Sequence, residues 1–337
     1  MNNWSIIPIS KFGEYSFLWQ KLNDTYNNSH PILSIEFIGA IVEHFGQSGN
    51  LFLGVERKHG EVTTLILLEK RSSLVWQTFN PSQITVSPFV TSHTDLDQAW
   101  FRRLISSLPG FVLLFGMLKY DKKYQASLVL PDSLVKYHQY QTTIDVSLKC
   151  DFDEYWGLRK KKLRDNIKRY TKRVLKEYGE IELEEIFNPE DVSLHVEKYG
   201  GIESCGWKGK IGTAISVDND QGRFYLQVLN AFKHIDGMRM FHLYFDGVLV
   251  SSRMAIKKGD IIVFLKTTYN EEFSSFSPGR LQLHRVLEAL CKKDKGAIVE
   301  FYTDANSDQL QWAGDQRPIS HVNIYRSSII KLLTKLF

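Results

Sequence analysis

Apolar positions recur along this chain with two periods, and the switches between them mark out its elements. Ile35, Ile38, Ile41, Val42 and Phe45 fall at helical spacing, and three apolar, β-rich runs follow, Leu51 to Val55, Val62 to Leu68 and Leu74 to Phe79. The pattern then predicts a helix over Leu96 to Leu108, a strand over Phe111 to Leu118, and a polar, tyrosine-rich stretch from Lys119 to Tyr140. A boundary near Lys149 divides the chain into domains 1–149 and 150–337.

The second half opens with Trp156, Leu163, Ile167, Tyr170 and Val174 at steps of seven, four, three and four, one face of a long helix over 152–178 that stops at Gly179. Asp191 to Tyr199 and Gly222 to His234 read as further helices, with a glycine-rich loop, Gly200 to Ala214, between them. Arg239 to Phe245 and Val248 to Ile256 flank Asp246-Gly247, a hairpin dipeptide, and Lys258-Gly259-Asp260 leads into a third strand, Ile261 to Thr268. A helix carrying Leu283, Val286, Leu287 and Leu290 then precedes a strand over Ala297 to Tyr302. A strand-helix-strand crossover joins parallel strands, so the sheet is expected to be mixed and the class α/β.

Composition narrows the class. With 337 residues, 43% hydrophobic and 24% charged, and only 22 Gly and 9 Pro, the chain is long enough for about two cored domains and unlike disordered or collagen-like sequences. No period of 20 to 50 residues is visible, which disfavours solenoids. The net charge of +4 conceals a concentration: Arg159 to Lys176 holds ten basic residues against the single acid Asp165, a local +9 that leaves −5 for the remainder. Cys150, Cys205 and Cys291 are scattered, odd in number and without metal-ligand spacing, which points to a reducing, cytoplasmic setting, no disulfide framework and no metal. Met1-Asn2-Asn3-Trp4 offers no charged leader, and no apolar run approaches the roughly 20 residues that span a bilayer. Ile329, Ile330, Leu332, Leu333, Leu336 and Phe337, with Lys331 and Lys335, read as a docked terminal helix or a peripheral membrane contact.

The turn before the late helix is where anion chemistry is expected, because the first amides of a helix lack internal partners and its dipole favours negative charge. Gly279 permits close approach, Pro278 suits the first helical position, Ser277 serves as cap or donor, and Arg280 adds a charged contact. The same residues also read as a plain helix start. Lys266-Thr267-Thr268-Tyr269-Asn270-Glu271-Glu272-Phe273, followed by Phe276-Ser277-Pro278-Gly279-Arg280-Leu281, resembles the signature of the CelD-like branch of the GNAT superfamily of N-acyltransferases. Arg164 to Arg169 and Gly206 to Ala214 agree with it.

The resemblance implies two tandem GNAT-like domains, each a mixed sheet flanked by helices, the first degenerate and the second binding acetyl-CoA or another acyl-CoA. It implies donor contacts from Lys266, Thr267, Thr268, Ser277, Pro278, Gly279, Arg280 and Leu281, and acceptor contacts from Glu203, Trp207 and Lys208. Transfer to an amine needs a base and an acid. Asp304 and Tyr302, at the end of the last predicted strand, are candidates, as is His242, each with a structural alternative: a helix cap, a sheet-end aromatic and a wall residue. The acceptor expected is an amine on a small molecule or on a lipid- or nucleotide-linked sugar of the cell envelope or an exopolysaccharide. Two alternatives stay open: a Fem-like transferase that takes aminoacyl groups from tRNA, and a non-catalytic anion-binding module of the same fold. The basic helix reads as a solvated face, a contact for an anionic substrate, or an RNA-binding surface.

Overall fold

A computed structural model describes residues 2–46, 49–206 and 214–333 and divides the chain into two compact units, 1–143 with 317–337, and 144–316. The first begins with β1 (Asn2–Pro8), α1 (Ser16–Tyr26) and α2 (Ile35–Phe45), then β2 (Leu51–Lys58), β3 (Glu61–Lys70) and β4 (Val75–Thr78). Short strands β5 (Phe89–Thr91) and β6 (Asp95–Asp97) lead to α3 (Gln98–Ser107), β7 (Leu114–Tyr120), β8 (Ser127–Val129) and β9 (Val135–Ser147). Strands β1 to β4 are antiparallel neighbours in order, and β7 then joins β4 in parallel. The helix α3 packs a core of Trp100, Phe101 and Leu104 onto this sheet.

The second unit repeats that order. After α4 (Phe152–Gly157) and α5 (Lys161–Tyr178) come β10 (Ile181–Ile186), α6 (Val192–Cys205), α7 (Asp220–Lys233), an antiparallel run of β11 (Met238–Phe245), β12 (Val248–Lys258) and β13 (Ile261–Tyr269), then α8 (Pro278–Lys293) and β14 (Ile298–Glu300) parallel to β13. Residues Asp145–Ser147 of β9 pair with β14, while β15 (Asp315–Tyr325) returns to pair with β7 of the first unit, followed by α9 (Ser328–Leu333). Leu336 and Phe337 lie outside the described residues; Ile329 and Leu332 are exposed, and Lys331 bonds the Asp132 and Val135 carbonyls. Among the described residues no helix is long and apolar enough to cross a membrane.

Three sequence expectations change. The helix over 152–178 is two helices, because the chain is extended at Lys160 (ψ 137°). Gly200 and Gly201, expected in a loop, are helical and belong to α6, where the first lies so close to the Ile215 carbonyl that a Cβ would meet it. The last parallel strand stops at Glu300 rather than reaching Tyr302, which takes a left-handed φ of 46° and turns the chain away. The Asp246-Gly247 hairpin forms with positive φ at both residues, and Gly179 ends α5 at φ 83°.

The first unit buries Glu56 completely. Glu56 on β2 accepts from Thr64 Oγ1 at 2.8 Å, Trp100 Nε1 at 3.0 Å and pairs with His93 Nε2 at 2.9 Å. Burial alone would raise its pKa, but these bonds outweigh it and hold the carboxyl below its usual 4.5. A depressed folded-state pKa gives stability that is complete above the unfolded value and lost as pH falls through the folded one. Glu56→Gln should therefore cost on the order of 1–3 kcal/mol at pH 7, with the gap in melting temperature to wild type shrinking below about pH 4. A gap that is constant from pH 7 to 3 would contradict an ionised Glu56.

Candidate active site

The site of the second unit follows from a failure of pairing. Strands β13 and β14 pair only over Ile261–Val263 and Ile298–Glu300. Beyond that, β13 stays on β12 but carries a bulge, since Ala255 faces Phe264 and Met254 faces Lys266, leaving Leu265 extra. The bulge bends β13 while the turn at Tyr302 takes the other strand off, so the two diverge. Between them opens a cavity of about 790 Å3, lined by Phe264 to Thr267 on one wall, Phe301, Thr303, Asn306 and Asp308 on the other, and Ser277 to Arg280 at the helix start.

The helix start is held in place from three sides. Ser277 takes the left-handed conformation, φ 54° and ψ 54°, and makes no side-chain cap bond. Its carbonyl accepts from the Arg280 and Leu281 amides, and Pro278 has no N–H, so of the first helical amides Gly279 is left for a ligand. Gln282, fully buried on α8, accepts from Ser251 Oγ and donates to the Phe241 carbonyl, which pins the helix to β11 and β12. On the outer side Arg173 of α5 donates to the Ser275 carbonyl and stacks on Phe276 at 4.8 Å. Tyr170 of α5 lines the cavity, and its hydrogen bond with Ser277, together with Arg169, holds its phenol below the usual range.

Lys266, Thr267, Ser277, Pro278, Gly279 and Arg280 all line the cavity. Thr268 lies next along the same strand, paired with Ser252, and Leu281 is buried in the core rather than in the cavity wall. Arg280 is committed to a two-pronged ion pair with Asp308, Nε to Oδ2 at 2.9 Å and Nη2 to Oδ1 at 2.6 Å, which the sequence did not suggest. Gly279 does not need a positive φ: a Cβ there meets only Tyr269 Cδ1 at 3.8 Å, an ordinary contact. Tyr302 is buried and Asp304 exposed; they bracket the cavity-lining Thr303. Glu203 is buried on α6, where its carboxylate accepts from the Ile215 amide at 2.8 Å and from Tyr199 at 3.4 Å. Trp207 and Lys208 lie outside the described residues.

His242 occupies a different place. It faces Glu184 on β10 and Ser252 on β12, bonding Ser252 Oγ at 2.9 Å and His195 Nδ1 at 3.1 Å. Glu184 accepts from Tyr244 at 2.7 Å and lies 3.6 Å from Lys198. Glu184, His195 and His242 are close enough to hold a metal ion, but the ammonium beside the carboxylate opposes a cation there. Burial lowers His242 to about 3, with Glu184 opposing only in part, so its ring stays neutral at physiological pH. His242 should show no imidazole titration between pH 5 and 8 by NMR; a midpoint near 6.5 would show the ring solvated and available as a conventional base.

Comparison with known proteins bears on this geometry. Residues 161–308 match the family described as acetyltransferase (GNAT) domain. No curated protein sequence matches the chain. Among solved structures the chain is similar to FemX, with a TM-score of 0.59 at 9% identity over 96% of this chain and 98% of FemX. It is similar as well to the C-terminal domain of a protein from Agrobacterium fabrum assigned as a lysylphosphatidylglycerol synthetase, with a TM-score of 0.57 at 9% identity, covering 96% and 95% of the two chains. A conserved protein of unknown function from Bacteroides thetaiotaomicron gives a TM-score of 0.53 at 10% identity, covering 96% of this chain and all of the other. The family match takes in the basic helix, both diverging strands, the helix start and Asp308. The second unit therefore resembles a GNAT domain over residues 161–308, and the chain has an α/β fold of two tandem GNAT-like units, each a mixed sheet flanked by helices.

Proposed function

We propose that the protein is an N-acyltransferase that moves an acyl group, by default acetyl, from acyl-CoA to an amine on a sugar or cell-envelope or exopolysaccharide precursor in the cytoplasm. The divergence of β13 and β14 carries this reading: it gives a slot between two strands with a helix N-terminus at its lip. A phosphate at that lip would meet the Gly279 amide and the helix dipole, and Arg280 if Asp308 releases it. A chain lying in the slot meets the edge of β13 that β14 has left. Main-chain N–H groups on such an edge are suited to the oxyanion formed when an amine adds to a thioester carbonyl.

The amine must lose a proton and the departing thiolate must gain one. Asp304 as base and Tyr302 as acid remain the proposed pair, because they flank Thr303 in the cavity wall. His242, neutral and enclosed, is the weaker base. The resemblance to the CelD-like branch supports a sugar acceptor, and Lys266, Thr267, Tyr269 and Ser277 to Arg280 of the segments that carry it line the slot.

A second reading, aminoacyl-tRNA as donor, is favoured by one observation: Lys168, Arg169, Lys172, Arg173 and Lys176 are exposed on α5, whose Tyr170 and Arg173 reach the cavity wall and its lip. Titration with acyl-CoA separates the two. At 100 times the dissociation constant, binding should stabilise the protein by about 2.7 kcal/mol, a rise of several degrees in Tm. Gly279→Asp should abolish that rise and Gly279→Ala should preserve it. Unchanged affinity in a folded Gly279→Asp variant sinks the donor placement. In the second reading, tRNA binds instead, weakens steeply with salt, and is lost when Lys168, Arg169, Lys172 and Arg173 become Gln.

A further inference from the structure

Among the described residues Arg239, Arg253 and Arg317 have guanidinium groups largely removed from solvent, and two of these are neutralised. Arg239 faces Asp294 at 3.4 Å, and Arg317 meets Asp121 at 2.7 Å. Arg253 is different. It is 6% exposed, its Nε is buried without a hydrogen-bond partner, and among the described residues no carboxylate pairs with it. Leaving a buried charge unpaired is among the most costly arrangements a fold can hold.

Arg253 lines the cavity. It sits on β12 opposite Thr267, next to the bulge, and its guanidinium lies 4.4 Å over the ring of Phe264. Phe264 packs edge-on against Phe301 at 5.0 Å, and these two are the first residues past the last β13–β14 pair. Arg253 therefore stands at the apex of the slot, while Gly279 and Arg280 stand at its lip. With Nε sealed in the core, the terminal pair of Nη groups is the edge left to a ligand, and it is a fork that fits a planar, two-oxygen anion.

We propose that Arg253 anchors a carboxylate carried by the molecule that fills this slot, so that the bound ligand supplies the ion-pair partner the fold omits. Phe264 and Phe301 make this end of the cavity apolar, which suits a singly charged carboxylate better than a more heavily hydrated phosphate. The proposal rests on the transfer reading and deepens it: the carboxylate belongs either to the far end of the acyl group or to the acceptor.

Matched pairs of probes test it. Succinyl-CoA and butyryl-CoA have four-carbon acyl chains with and without a terminal carboxylate; muramic acid and glucosamine are amino sugars with and without one. Calorimetric titration should show wild-type protein preferring the carboxylated member of one pair by about tenfold or more. Arg253→Met, which keeps the volume and removes the charge, should bind both members equally, and Arg253→Lys should recover part of the preference. A succinyl preference assigns the carboxylate to the donor, and a muramic acid preference to the acceptor. Without ligand, Arg253→Met should melt at or above wild type, because it removes an unpaired buried charge.

Equal affinity within both pairs, a preference that survives in Arg253→Met, or an unliganded variant that melts several degrees below wild type overturns the proposal. Tight but indifferent acyl-CoA binding leaves the transfer reading standing and this inference refuted. A muramic acid preference with no acyl-CoA binding does the reverse.

Discussion

A strand inside a sheet has two edges, and β13 is partnered along its length on only one of them. Its contact with β14 ends after three residue pairs, and the features of the site follow from that shortfall. Unpaired main-chain groups away from water are costly, so a sheet normally closes such a gap. Here a bulge at Leu265 and a left-handed turn at Tyr302 hold it open from both sides. The same opening leaves a cavity between two walls, with Arg253, on the next strand over, among the residues that line it. Opening, bulge and buried charge are one arrangement, and α8 is fastened behind it by Gln282.

The first unit repeats the strand order but treats its helix start differently. There β4 and β7 are the parallel pair, and the intervening α3 begins at Asp97, whose carboxylate accepts from the Trp100 amide at 2.7 Å. The position that an external anion would take is filled by the chain's own. In the second unit Ser277 makes no such bond. One side chain thus separates a helix start that is satisfied from one that can accept a ligand. The pairing of Arg280 with Asp308 is an intermediate condition: the charge is present, but a ligand must compete for it.

Much of the second unit was legible because its signals are local. Asp246-Gly247 dictates a hairpin, Ser277-Pro278-Gly279 starts a helix, and the run of apolar residues over 261–264 makes a strand wherever it is placed. The break between α4 and α5 was hidden because Trp156 continues the apolar phase of Leu163 across it; the face is continuous while the backbone is not. Strand β9 was missed because its first half is exposed and polar, so its sequence carries no alternation. Arg253 was overlooked for a related reason. An arginine in a strand reads as a solvent-facing residue, but β12 is buried on both faces from Val250 to Ile256, and that position in the sheet, which leaves no mark in the sequence, places it inside. Asp308 as the partner of Arg280 depends on a loop path that no spacing encodes.

The return of β15 to the first unit has a consequence for biosynthesis. Residues 1–143 emerge from the ribosome with β7 still lacking the neighbour that residues 320–325 provide. All of 144–316 must be made first, which at typical translation rates takes roughly 10 to 35 s. During that interval the nascent amino-terminal half carries an open β edge, a template for wrong pairing. Val322 and Ile324, buried beside Phe115 and Met117 in the finished core, arrive only near the end of synthesis. The first half to be translated is thus the last whose sheet can be closed, and a ribosome stalled before residue 320 would hold a chain whose second half can be complete while its first cannot.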